Sequence, residues 1–247
     1  MTSERARELL AKPGAIIEGH FVGTNGNHLS VYVAKDRATR LTSISSQLCK
    51  GIAELFASDD IDAVVAPAAG GIALSQWTAY HLTLFRQDRP EVLALYSEHD
   101  DIVVFERKKG EPPITFNSNL APLAEGEQII LRRPRFVLKR GFDVDISGKC
   151  VLELEDVLTT GGSAAKTADA IRSAGGILVG LAVLANGGNV TPETCHVERL
   201  EALMSVKRQV FTEEECADHG LCARGVPINT NFGHGKAFLA RKQNGLK

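Results

Sequence analysis

The chain has 247 residues, 44% of them hydrophobic and 23% charged, with a formal net charge of −2 at pH 7. That composition can bury a full core, and a charge so near balance excludes a general attraction to nucleic acid or to an anionic membrane, so any phosphate is bound locally. No apolar stretch is long enough to span a bilayer.

Thr2-Ser3-Glu4-Arg5-Ala6-Arg7-Glu8-Leu9-Leu10 reads as a charged amphipathic helix without the apolar centre of a signal peptide. This places the protein in the cytoplasm, where its five cysteines stay reduced. Residues 14–23 read as a strand, Thr24-Asn25-Gly26-Asn27 as a tight turn and residues 28–33 as a returning strand, together a hairpin. Residues 41–56 have helical apolar spacing, and residues 62–66 form a short buried strand ending in Pro67-Ala68-Ala69-Gly70-Gly71. A helix over 72–85 and strands over 92–96 and 102–105 follow, then a long polar, proline-containing stretch to about residue 131. A strand over 135–139 comes before the one that starts at Val151, and after the next helix residues 177–184 form a parallel strand. Alternating strands and helices predict an α/β domain over 1–190, an open and mainly parallel sheet flanked by helices with an N-terminal hairpin. Residues 191–247 are expected to form an accessory region packed on it.

The most informative segment is Val151-Leu152-Glu153-Leu154-Glu155-Asp156-Val157-Leu158-Thr159-Thr160-Gly161-Gly162-Ser163. A hydrophobic run ends in two adjacent carboxylates, opens into a Thr/Gly/Ser turn and leads to an alanine-rich helix with Ser163 as its expected N-cap. Backbone N–H groups at a helix start favour an anion, glycines admit a close phosphate, and the three hydroxyls add donors. A phosphate would repel the carboxylates, so their partners are sugar hydroxyls or a hydrated cation.

All thirteen positions resemble the 5-phosphoribosyl-1-diphosphate (PRPP) motif of type I phosphoribosyltransferases. The resemblance implies that Glu155 and Asp156 hold the ribose hydroxyls, with Asp156 also facing Mg2+. Thr159, Thr160, Gly161, Gly162 and Ser163 would hold the 5-phosphate. The turn with Ala69 and Gly70 ends a predicted strand, where a parallel sheet usually places its ligand, and in this family the corresponding strand end holds pyrophosphate.

Other segments resemble the orotate subgroup. Gly26-Asn27-His28-Leu29-Ser30-Val31-Tyr32 is similar to its N-terminal hood, which offers His28 and Tyr32 to the base, with Lys35 adding positive charge nearby. Glu106-Arg107-Lys108-Lys109-Gly110 looks like the basic loop that closes over PRPP. Arg107 is then a PRPP contact, and Lys108 and Lys109 are candidates for neutralising the departing pyrophosphate. A second basic run, residues 132–141, reads either as a surface facing PRPP or as charge covering a strand edge, with the edge reading slightly favoured. Asn186-Gly187-Gly188 stands where orotate enzymes commonly have Asp-Arg-x-x-Gly-Gly with the arginine on the orotate carboxylate; Asn186 is the base contact offered here, and no arginine stands beside it. Cys195, His196, Cys216, His219 and Cys222 are of metal-ligating type, but their irregular spacing favours reduced, partly buried cysteines over zinc.

The resemblance as a whole implies Mg2+-dependent transfer of the 5-phosphoribosyl group from PRPP to a nucleobase, orotate first, with release of pyrophosphate. It also implies a homodimer with loops shared between subunits. The alternatives are another pyrimidine or a purine as acceptor, or a PRPP-sensing regulator of the same fold that does not turn over.

Overall fold

Ala63–Pro67 is buried at all five positions, the pattern of a strand covered on both faces. The computed structural model, which describes residues 1–86, 88–112 and 124–243, places this strand inside a six-stranded sheet. In chain order the elements are α1 (Ser3–Ala11), β1 (Ile16–Val22), β2 (His28–Val33), α2 (Asp36–Thr39), α3 (Thr42–Leu55), β3 (Ala63–Pro67), α4 (Ile72–Phe85), β4 (Leu93–Glu106) and β5 (Gln128–Val137). They continue with α5 (Phe142–Asp145), β6 (Cys150–Leu158), α6 (Gly162–Ser173), β7 (Ile177–Asn186), β8 (Leu200–Ser205), β9 (Val210–Phe211), α7 (Glu213–Asp218) and α8 (Gly235–Gln243).

The sheet order is β5-β4-β3-β6-β7-β8. β4, β3, β6, β7 and β8 run parallel, and β5 is antiparallel at the edge. Alternation along the strands sorts the core into two faces. Val64, Ala66, Leu152 and Leu154 pack with Leu9, Leu48, Ile52, Leu74 and Leu82 of α1, α3 and α4. Ala63, Val65 and Val151 turn the other way and meet Ile171 of α6, while Ala164 and Ala168 of the same helix pack against Leu181 and Val183 of β7. This is the expected mainly parallel sheet with helices on both faces.

Several boundaries differ from the sequence reading. The expected strands over 92–96 and 102–105 merge into one strand, β4, which begins at Leu93 and whose pairing with β5 continues through two register shifts. β5 reaches back to Gln128 and is the edge strand, so the basic run 132–141 begins on an edge, as read. The long polar stretch between β4 and β5 falls partly outside the described residues.

The expected division at residue 190 cuts the central sheet, because β8 lies beyond it and pairs with β7 as the sixth strand. Leu200–Ser205 escaped notice for a physical reason: Leu-Glu-Ala-Leu-Met-Ser has helix-favouring residues and no β-branched side chain, and burial of Leu203 and Met204 in the core overrides that preference. The hairpin also gains a partner. β9 pairs antiparallel with β2, so the hood is a three-stranded sheet whose third strand comes from the C-terminal region.

Candidate active site

The PRPP-like segment runs from the end of β6 into α6 at the carboxyl edge of the sheet. Gly161 is the N-cap, with φ +79°, a left-handed conformation that favours glycine. The helix begins at Gly162, so Ser163 sits inside its first turn instead of capping it. The cap supplies no side-chain bond to that turn. Gly162, Ser163 and Ala164 border a cavity of about 540 Å3, where the helix N-terminus meets an open space of the kind an anion fills. Thr159, Thr160, Gly161, Glu155, Asp156 and Gly70 border the same cavity, which brings the two sequence-predicted turns to one site. Ala69 does not border it, although Ala68, joined to it by a cis peptide bond, does.

The carboxylates at the end of β6 have unequal surroundings. Glu155 is buried, and burial pushes its carboxyl up to about 7 against the opposing pull of Lys35. Asp156 is ion-paired with Lys35, which follows β2 and projects from the hood onto the sheet. Gly70 is pressed against this pair so closely that a side chain there would collide with both partners. One layer deeper, Glu153 is fully buried with neither carboxyl oxygen bonded among the described residues, and burial first, then the Glu155 charge, raises its pKa well above the usual carboxylate range.

A second cavity of about 270 Å3 adjoins the first and shares Thr24, Lys35, Asp156, Val157 and Thr159 with it. Tyr32 borders it, with Phe232 at a ring-centroid distance of 5.6 Å. Arg208 borders it as well. Its Nε and Nη2 are buried without a hydrogen-bond partner among the described residues, and burial lowers its pKa. Gly187 makes room for this guanidinium: a Cβ on Gly187 would lie 3.0 Å from the Arg208 Cζ.

Other sequence-predicted residues stand elsewhere. His28 is fully buried beneath the hood with Nδ1 2.6 Å from His20 Nε2, and it borders neither cavity, so a direct contact with the base is corrected to an interior role. The Asn186 side chain is spent on its own turn, donating to the Val190 carbonyl at 2.8 Å and accepting from the N–H groups of Gly188 and Val190. Lys108 and Lys109 are exposed on the segment after β4, and Arg107 donates to the Glu111 carbonyl at 3.0 Å; none of the three borders either cavity. Among the metal-type residues, Cys195 is buried, His196 Nδ1 lies 3.0 Å from Asp169 and His219 Nδ1 lies 3.2 Å from Asp218, whereas Cys216 and Cys222 come together.

Sequence reasoning missed Arg208, Phe232 and His234 at the small cavity and His99 at the large one. No local pattern marks them. Arg208 follows β8, an element that itself reads as helix, and Gly233-His234-Gly235 fits no motif.

No family model matches the chain. It is 29% identical over 227 residues to an orotate phosphoribosyltransferase of Pelotomaculum thermopropionicum, covering 92% of this chain and 95% of the relative. It is 27% identical over 229 residues to one of Chlorobium phaeobacteroides, covering 93% and 95%. Among solved structures, orotate phosphoribosyltransferase from Aeropyrum pernix aligns with a TM-score of 0.53 at 22% identity over 89% of this chain and 97% of that one. The Mycobacterium tuberculosis enzyme aligns with a TM-score of 0.55 at 18% identity over 83% and 96%. The chain thus has the type I phosphoribosyltransferase fold and is similar along nearly its whole length to orotate phosphoribosyltransferases.

Proposed function

We propose that this protein is an orotate phosphoribosyltransferase, transferring the 5-phosphoribosyl group from PRPP to a ring nitrogen of orotate. The bond from ribose C1 to the diphosphate oxygen breaks with its electron pair leaving on pyrophosphate, the bond from C1 to nitrogen forms, and the nitrogen's proton is released. The observation that carries the choice of acceptor is Arg208. A half-buried guanidinium whose Nε and Nη2 are enclosed without a partner among the described residues is costly unless an anion arrives to pair with it, and a planar carboxylate on a flat ring fits such a fork. Tyr32 and Phe232 supply aromatic surface beside it. A purine without a carboxylate would leave Arg208 unpaired.

In this reading the 5-phosphate sits at Thr159 to Ser163 and the start of α6, and pyrophosphate lies toward Gly70. Glu155 and Asp156 hold the ribose hydroxyls, and Lys35 steadies Asp156 between the two cavities. The donors on this wall are carboxylate and hydroxyl oxygens, the set that Mg2+ takes, with Asp156 the nearest candidate. When bound, Mg2+ would neutralise charge on the diphosphate. Lys108, Lys109 and Arg107 act on the leaving group only where their segment reaches a cavity, as loops shared in a homodimer would allow. None of the helices among the described residues is long and apolar enough to cross a membrane, and the reaction is assigned to the cytoplasm.

The test is pyrophosphate release by the purified protein with PRPP, Mg2+ and a panel of bases. Release with orotate is expected. Tight PRPP binding with no release for any base would replace the enzyme by a PRPP sensor, and release with a purine alone would overturn the role of Arg208.

A further inference from the structure

Four side chains from opposite ends of the chain meet beneath the hood. His20 of β1, His28 at the start of β2, Cys216 of α7 and Cys222 just beyond it place one ligand-type atom each within 4.8 Å of all the others. Both histidines and Cys216 are buried and Cys222 is half-buried. Cys216 Sγ is 3.6 Å from His20 Nε2, and Cys222 Sγ is 3.9 Å from the same nitrogen and 3.7 Å from His28 Nδ1. A tetrahedral zinc ion with ordinary Zn–S and Zn–N bonds sets its sulfur–nitrogen edges at about 3.6 Å, close to all three. The two imidazole nitrogens are 2.6 Å apart, and an ion between them would part them to about 3.3 Å.

Two surrounding bonds prepare the ligands. His20 Nδ1 lies 2.7 Å from the Val226 carbonyl, which can only accept, so Nδ1 carries the proton and the Nε2 lone pair points into the cluster. The Cys222 N–H donates to Cys216 Sγ at 3.2 Å, which holds that sulfur in place at the cluster.

We propose that His20, His28, Cys216 and Cys222 bind a structural Zn2+ ion. Two sulfurs and two imidazoles suit zinc and not magnesium, so this site is chemically distinct from the one at Asp156. Four protein ligands close the coordination shell and leave no position for substrate, which makes the ion a staple. It ties the hood to the C-terminal region, where the Ser30 N–H donates to the Gln209 carbonyl at 3.1 Å and the Gln209 N–H to Ser30 Oγ at 2.8 Å, immediately beside Arg208. Binding releases the protons of both thiols, and the site empties when acid protonates its ligands.

The experiment is elemental analysis of the full chain purified without chelator, together with cobalt exchange on the unaltered protein. About one zinc per chain is expected, and Cys216→Ser with Cys222→Ser should reduce it at least about tenfold. Cobalt should give the intense visible bands of tetrahedral geometry and thiolate charge transfer in the near ultraviolet. A strong chelator should lower the melting temperature, restored by Zn2+ and not by Mg2+. Unaltered protein that is free of zinc after growth with zinc and shows no cobalt bands would overturn the proposal, as would a metal-free Cys216–Cys222 disulfide found by mass spectrometry. These readouts are independent of turnover, so the site stands or falls apart from the orotate reading.

Discussion

The Arg208 guanidinium carbon lies 3.0 Å from where Gly187 would carry a Cβ. Gly187 belongs to the turn after β7, where orotate enzymes commonly place their arginine, and Arg208 comes from the chain beyond β8. The cation that borders the small cavity thus comes from the chain beyond β8 and packs over the turn after β7.

Arg208→Leu should raise the KM for orotate about tenfold to a hundredfold, since a hydrogen bond to a charged group is worth about 1.5–3 kcal/mol. The KM for PRPP should change little. Gly187→Ala should act in the same direction by displacing the guanidinium. Steady-state kinetics in both substrates decide this, and an unchanged orotate KM in Arg208→Leu would remove the arginine from the acceptor site.

Asp156→Asn should lower turnover or PRPP affinity at least about tenfold for the same energetic reason. Lys35→Met should weaken PRPP binding too, because Asp156 loses its ion-pair partner. The two changes should be less than additive in a double-mutant cycle, as befits groups in direct contact. Full additivity would mean that Lys35 acts on PRPP without Asp156.

Glu155 gives a pH prediction with a definite sign. Burial sets its carboxyl at about 7 in the folded protein, above the ordinary 4.5. Between those values the folded protein keeps a proton that the unfolded chain has released, so stability falls as pH rises through the window and levels off above it. Glu153 is displaced in the same direction and adds to the fall. Urea unfolding at about pH 5 and about pH 8 should show the slope, with a smaller fall in Glu155→Gln. An identical fall in that variant would place the titration elsewhere.

Gly161→Ala should cost about 1–3 kcal/mol of stability and weaken PRPP binding. The left-handed φ of +79° penalises alanine, and the added carbon would lie 2.9 Å from Val190 and 3.0 Å from the Cys195 sulfur. Thermal melting and PRPP titration measure the two effects. Loss of stability with intact PRPP affinity would show that the turn tolerates displacement.

Much of the fold was legible because its signals are local. β3 and β6 read as buried runs, α4 has the bounds its periodicity predicted, and the hairpin is marked by its Asn-Gly turn. β8 was not legible, since its residues favour helix and only packing makes them a strand. His28 misled because the hood motif implies a contact with the base, whereas its ring turns inward to His20.

The sequence by itself determined one wall of the large cavity. From Glu155 to Ser163 the carboxylates, turn and helix start are consecutive, so covalent connection and backbone preference suffice to assemble them. Only the tertiary structure decided what stands opposite. Lys35 meets Asp156, Arg208 meets Gly187, and His20 and His28 meet Cys216 and Cys222 across nearly the whole chain. Such contacts depend on how the hood, sheet and C-terminal region pack, and residue spacing carries no record of that packing.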